Sequence, residues 1–293
     1  MKAFFSFLSP LLIIIIVVFS SCSKDEDPIL PTISFKQEVG YVSANSAASF
    51  GDTLHFGIVV KSNGTDNIVK LQVLLNSVNV VDSTINSATF ATDITAYKDA
   101  SDKDVWVFIA TDIAGNVKRD SIIVTGNFGE ILTYSDIKFG AQNNTAEKSF
   151  LSFSNSAATL YFQAEAFNHQ SEIDMFCFYE ETATSINKMA LAAPGSNISG
   201  IFTGNTAPSS YTTKNVTFFV KTTLTAADFD AVKNDGVIQA AYNPNNKFKK
   251  AKLLTAGDVY AFKLQSGKLG LYKVIAVNGK EDGTLQIAVK IQK

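Results

Sequence analysis

Few residues in this chain could do chemistry, and their spacing limits what that chemistry would be. Its 293 residues include two histidines, His55 and His169, and two cysteines, Cys22 and Cys177. Leu54, Phe56, Ile58 and Val60 alternate with His55, Gly57, Val59 and Lys61, which puts His55 on the face away from the apolar set. His169 falls in the other half of the chain, so a histidine-rich metal site within either half is excluded. Cys177 with His169 would be a thiol and a base. Ile173, Met175, Cys177 and Tyr179 share one face of a strand, however, which makes Cys177 a core residue. Glu165, Glu172, Asp174, Glu180 and Glu181 are carboxylates enough for a glycosidase pair, although acidic residues beside strands are usually just solvated. Asp102, Asp104 and Asp112 near strand ends offer hard oxygens to Ca2+ without the spacing of an EF-hand loop. No glycine-rich phosphate loop, HExxH or CxxC is present. The sequence predicts no catalytic residue, no metal ligand and no cofactor site, and a protein that is not an enzyme.

The elements that would position any site are strands. Phe is frequent (23), Trp is single, and Val, Ile, Thr, Phe and Tyr dominate the apolar runs, a bias that suits pleated, half-buried strands. The formal charge is −2, and Lys247, Lys249, Lys250 and Lys252 form only a short basic patch. Binding to a phosphate backbone needs a larger footprint, so nucleic acid is not an expected partner.

Met1-Lys2 is followed by an apolar segment from Ala3 to Phe19, interrupted by Ser6, Ser9 and Pro10. That is short of the roughly 20 residues of an unbroken membrane helix, and a charged start, an apolar middle and small residues before a cut describe a secretory signal. Phe19-Ser20-Ser21-Cys22 resembles the lipobox of bacterial lipoproteins, with Phe where Leu is usual. The resemblance implies cleavage after residue 21 and lipidation of Cys22, whose acyl (palmitate-type) chains give stable anchoring where one chain would be marginal. Ser23-Lys24-Asp25-Glu26-Asp27 is similar to the export signal of surface lipoproteins of Bacteroidetes. It implies an outer-membrane, lipid-anchored and surface-exposed protein; a solvated acidic tether is the plainer reading. With Cys22 acylated, Cys177 has no partner, and the fold must hold without disulfides.

The expected organisation is a signal peptide (1–21), an acidic tether (22–31), a β-sandwich (32–126), a seam at Gly126-Asn127-Phe128-Gly129, and a second β-rich domain (130–293). The fold class is all-β and mainly antiparallel, with one short helix over Thr225–Val232, capped by Thr225 with Asp228 in the capping-box position and ended by Asp235-Gly236. "WVFIATD" and "AGN" before a closing strand resemble the last hairpin of bacterial immunoglobulin-like surface domains, and Trp106 is read as core. Thr159–Ala164 reads as extended. Leu285, Ile287, Val289 and Ile291 alternate with Gln286, Ala288, Lys290 and Gln292, which reads as a one-sided antiparallel meander. "GDVYAFKLQSGKLGLYKVIAV" resembles β-rich C-terminal domains of surface lipoproteins of the same bacteria, a likeness that implies fold and location alone.

Asp52-Thr53-Leu54, Asp82-Ser83-Thr84 and Asp120-Ser121-Ile122 look like O-glycosylation acceptors of Bacteroidetes, which would modify Thr53, Ser83 and Ser121. The functional expectation is a non-catalytic surface lipoprotein. Its second half would bind an extracellular carbohydrate or another envelope protein, through loops around Ala193–Thr213. The alternative is a carrier of haem or another small ligand serving an outer-membrane transporter. It follows a looser likeness to haemophore-like lipoproteins, and would ask His169 to share a pocket with Met175 or Met189.

Overall fold

The expected alternation is realised over residues 32–126 as eight strands: β1 (Thr32–Phe35), β2 (Ser46–Ala48), β3 (Thr53–Lys61), β4 (Ile68–Leu75), β5 (Val78–Ser87), β6 (Thr89–Tyr97), β7 (Lys103–Asp112) and β8 (Val117–Gly126). The structure is a computed structural model and describes residues 28–293. The apolar leader, Cys22 and the Lys24–Asp27 cluster lie outside the described residues. Among those described, no helix is long and apolar enough to cross a membrane.

These strands form an Ig-like sandwich of two sheets, ordered β1-β3-β6 and β2-β8-β7-β4-β5. All pairs are antiparallel except β2 with β8. Leu54, Phe56, Ile58 and Val60 of β3 pack against Trp106, Phe108, Ile122 and Val124 of the facing sheet, and the Phe56 ring lies 4.8 Å from that of Trp106. Trp106 is therefore core, at 2% exposure. His55 faces outward, its Nδ1 3.0 Å from Thr95 Oγ1. β4 and β5 are joined by Asn76 and Ser77, both at positive φ (49° and 71°), the geometry that a two-residue hairpin requires.

The second half contains β9 (Ile131–Gly140), β10 (Phe150–Ser152), β11 (Thr159–Tyr161), α1 (Gln163–Asn168), β12 (Met175–Glu181), β13 (Ile186–Ala192), β14 (Phe218–Lys221), α2 (Ala226–Ala231), α3 (Gly236–Ala241), β15 (Lys250–Ala251), β16 (Val259–Lys263), β17 (Leu269–Asn278) and β18 (Thr284–Gln292). Two antiparallel five-stranded sheets, β14-β16-β17-β18-β9 and β11-β10-β12-β13-β15, enclose a core that includes Phe139, Cys177, Phe262, Tyr272 and Ile287. Each sheet also has an apolar outer face. Phe150, Phe176 and Phe178 lie under Ala166 of α1 and under Phe202, Ala207 and Tyr211 of the long connection after β13. Val259, Ala261 and Leu271 lie under Phe229 of α2 and Ile238 of α3. The result is four layers, with the central strands of both sheets buried on both faces.

Both sides of this sandwich are bridged. Phe248 pairs with Phe219 of β14, and three residues on Ala251 pairs with Leu191 of β13, so one segment joins both sheets. On the other side the Gln142 amide does a strand's work. It donates to Tyr179 O (2.7 Å) and accepts from Tyr179 N (2.8 Å), satisfying backbone groups that would otherwise be orphaned.

The single expected helix is present and capped as read. Asp228 N donates to Thr225 Oγ1 (3.2 Å) and Thr225 N to the Asp228 carboxylate (2.8 Å). Two further helices correct the count. The extended reading of Thr159–Ala164 holds only to Tyr161, because Glu165 reaches back to accept the Phe162 N–H (2.9 Å), which starts α1. Gly236 opens α3 instead of only ending α2, its N–H held by Asn234 Oδ1 (3.1 Å). The stretch Ala193–Thr213, expected as binding loops, is largely a cover. Phe202, Ala207 and Tyr211 are 7%, 2% and 4% exposed on the outer face of β12 and β13.

Between the halves the chain is held at close intervals. Asn127 N donates to Ala48 O (2.8 Å) and Gly129 N to Asp235 Oδ1 (2.7 Å). The Phe128 ring lies where a Cβ on Gly126 or Gly236 would sit, 2.2 and 2.9 Å from it, so both positions need glycine for close approach.

Candidate functional site

At the rim of the second half, ahead of β12, the chain runs Ser171-Glu172-Ile173-Asp174 and meets the β16–β17 turn. They enclose a cleft of about 460 Å3. Its walls carry Glu172, Asp174, Asn215, Gln265 and Lys268, and Phe153 and Leu264 form its apolar part. Asp174 is the unusual member. Its residue is 9% exposed, one carboxylate oxygen accepts the Phe153 N–H (2.8 Å), and its backbone carbonyl accepts the Thr217 hydroxyl (2.6 Å). The other carboxylate oxygen has no partner among the described residues. Burial pushes this carboxyl up to about 6, against the opposing pull of the Phe153 N–H and the Lys268 charge. A desolvated carboxyl in a cleft is the kind of group that marks a site.

Of the five carboxylates weighed from sequence, the cleft brings together Glu172 and Asp174 and leaves out the others. Glu165 caps α1 and pairs with Lys148 (3.0 Å). Glu180 accepts from Ser185 (2.8 Å) and Asn187 across a β-bulge. Glu181 accepts from the Tyr179 hydroxyl, which with burial pushes that phenol up to about 12. Each of the three is engaged in holding local structure.

His169 ends α1, stacks on Tyr161 (centroids 4.7 Å) and lies 3.4 Å from a Glu172 oxygen. Cys177 is fully buried on the opposite, inner face of β12, its Sγ 3.4 Å from Met189 Sδ, and burial pushes its thiol far up. A buried, protonated thiol is inert, and no contact joins it to His169 among the described residues. Met175 and Met189 also belong to the inner core, whereas the His169 side chain is 43% exposed. The pocket that a haem reading asks for is not assembled from these residues.

Asp102, Asp104 and Asp112 do not converge. Asp104 and Asp112 lie near opposite ends of β7, Asp104 paired with the buried Lys98 (3.1 Å) and Asp112 closing the β7–β8 turn through Asn116 (2.8 and 3.0 Å). Asp102 accepts from Asn234 of the second half (2.7 Å). Among the described residues no group of three metal-ligating side chains is found. Thr53 begins β3 and Ser121 lies on β8, both exposed, while Ser83 is half-buried on the edge strand β5.

Asn215, Gln265, Lys268 and Phe153 are the members of the cleft that sequence reading missed. The Ser266-Gly267 turn was legible, but nothing in the sequence joins it to Asp174, some 90 residues earlier.

No family model and no curated protein sequence matches the chain. Among solved structures, a DUF4466 family protein from Parabacteroides merdae, a Bacteroidetes species, is similar at 16% identity and a TM-score of 0.41, over 91% of this chain and all of that one. Fibronectin(III)-like modules of CbhA from Clostridium thermocellum are similar at 13% identity and a TM-score of 0.25, over 34% of this chain and 48% of theirs. At these values neither likeness says what this chain binds.

Proposed function

We propose that this is a lipid-anchored outer-membrane protein of the cell surface, that it binds an extracellular carbohydrate or envelope protein without catalysing a reaction, and that the cleft beside Asp174 is where it binds. Cys22 and the charge cluster after it support the address. The observation that supports binding is the Asp174 carboxyl, nine-tenths buried with one oxygen open to the cleft, a fixed acceptor that a ligand can meet in place of water. Glu165, Glu180 and Glu181 are engaged in local structure, which leaves Glu172 and Asp174 as the carboxylates on which a hydrolytic role would have to rest. The first half serves as a spacer and the second as the ligand-binding part.

Fractionation and labelling of cells test this reading together. Cys22→Ala should move the protein out of the membrane fraction, and neutralising Lys24–Asp27 should leave lipidation intact while abolishing protease access on whole cells. Cells with the wild-type protein should retain envelope material that cells without it do not. A membrane-bound, unprocessed Cys22→Ala protein would refute the anchor, and release of new reducing ends from retained polysaccharide would refute the absence of catalysis.

A further inference from the structure

The Asp174 cleft has a neighbour across the β16–β17 turn. Beyond Ser266-Gly267-Lys268 lies a second depression of about 680 Å3, lined by Gln292, Lys293, Glu130, Gly129 and Asp235. Ser266 and Lys268 line both, so the two depressions flank the hairpin turn and share its residues. A ligand that crosses the turn to touch both must itself be a chain.

The groups around Asp174 narrow its chemistry. Asn215 uses its amide donors on the carbonyls of Ser171 (2.8 Å) and Ile173 (3.1 Å), which leaves its oxygen as an acceptor. Gln265 uses its oxygen on Val216 N (3.1 Å), which leaves its NH2 as a donor. The Lys268 ammonium has no hydrogen-bond or ion-pair partner among the described residues, and one Asp174 oxygen is likewise open. Open donors and acceptors are thus interleaved, and one positive charge, Lys268, sits among the carboxylates of Asp174 and Glu172. A hydroxyl both donates and accepts, so a neutral, hydroxyl-bearing ligand can match this mixture where a uniformly charged one cannot. Phe153 and Leu264 belong to the inner core and reach the cleft only by an edge, at 8% and 5% exposure, so recognition there falls to the polar groups.

On the reading of this protein as an extracellular binder, we propose that the two depressions flanking the Ser266–Lys268 turn together form a groove for an extended, uncharged, hydroxyl-rich chain, an oligosaccharide of several units, with Asp174, Asn215, Gln265 and Lys268 bonding to its hydroxyls at one end.

Calorimetry with the full chain and neutral gluco-, manno-, galacto- and xylo-oligosaccharides of two to six units tests this. For at least one series Kd should fall about ten-fold between two and six units, as the chain comes to span both depressions. Lys268→Ala (half-buried) and Gln265→Ala (exposed) should each weaken hexasaccharide binding about five-fold, the scale of one lost hydrogen bond; because Gln265→Ala also gives up the Val216 N–H bond, both are measured well below the unfolding midpoint that each variant shows. His55→Ala, in the first half, should bind like wild type. Binding that ignores chain length, or that survives both substitutions, overturns the groove and leaves the binding reading intact. Silence toward all four series overturns the ligand class. If the protein then still retains an envelope protein from its own cells, the broader reading survives, and if it retains nothing, both fail.

Discussion

The two halves are both sandwiches of antiparallel sheets, yet they bury their strands differently. In the first half one face of each sheet is core and the other meets solvent: along β6 exposed and half-buried residues alternate from Thr89 to Tyr97 without a break. In the second half Met175, Phe176, Cys177, Phe178 and Tyr179 are buried in succession, because α1 and the connection after β13 cover what would have been the wet face. The first arrangement leaves surface chemistry to isolated side chains. The second makes rims where cover, sheet and turn meet, and a rim of that kind holds the Asp174 cleft. Apolar area on a strand's outer face thus has opposite consequences in the two halves.

Truncation on the two outer faces should show the largest contrast. Phe176→Ala removes a ring that contacts Phe150, Phe178 and Phe202 and should cost about 3–5 kcal/mol in denaturant melts, as a core aromatic does. Val59→Ala, on the outer face of β3 and half-buried, should cost less than about 1 kcal/mol. Equal losses would mean that the cover over β12 adds nothing.

Asp174 sharpens the comparison by pH. Its folded pKa of about 6 lies above the ordinary value of 3.8, so between those two pH values the folded chain holds a proton that the unfolded chain has lost. The wild type therefore loses stability as pH rises from about 4 to about 6, and this group changes nothing further above that. Asp174→Asn should abolish that slope. It should be more stable than wild type at pH 7.5 by up to about 3 kcal/mol, at about 1.4 kcal/mol for each unit of pKa, and nearly equal to it at pH 4. Thermal melts at the two pH values decide the matter, and a variant less stable at pH 7.5 would show that the charge is compensated in the cleft.

The smallest effect belongs to the backbone. Ser77 in the β4–β5 turn and Leu253 after β15 both hold positive φ, 71° and 55°, where a side chain is unfavourable. Ser77→Gly and Leu253→Gly should each raise stability by a few tenths to about 1 kcal/mol, relief of left-handed strain outweighing added freedom of the unfolded chain. A loss at Leu253 alone would mean that its half-exposed side chain contributes packing.

What was legible in the sequence follows from the same contrast. Strands with one wet face announce themselves: β3 lies where alternation puts it, and β17 and β18 alternate beside their shared turn, whereas farther along β18 the side read as wet, with Ala288 and Lys290, is covered by α2 and α3. The α2 helix was legible because Thr225 and Asp228 cap it within three residues. The α1 helix was not, since its first residues follow Phe162 and only Glu165 reaching back starts it. The double burial of β12 was hidden because an apolar run such as "MFCFY" is compatible with either one covered face or two. For the site, Glu172 and Asp174 were named among five carboxylates. What singles out Asp174 is its burial, between a backbone N–H at Phe153 and a lysine at 268, and such distant neighbours leave no local mark.

The pairing of β9 with β18 sets a condition on the order in which this protein can be made. Ile131 lies opposite Gln292, and Lys293 N donates to Glu130 O (3.1 Å), so the first strand of the second half is completed by its last. Strand contacts within the first half are confined to residues 32–126, and that sandwich can close while the rest of the chain is still being synthesised. The second half has no partner for β9 until β18 emerges. By the relation between sequence separation and folding rate, it should be the slower to form. Until then its apolar strands stay open to whatever holds unfolded chains along the route.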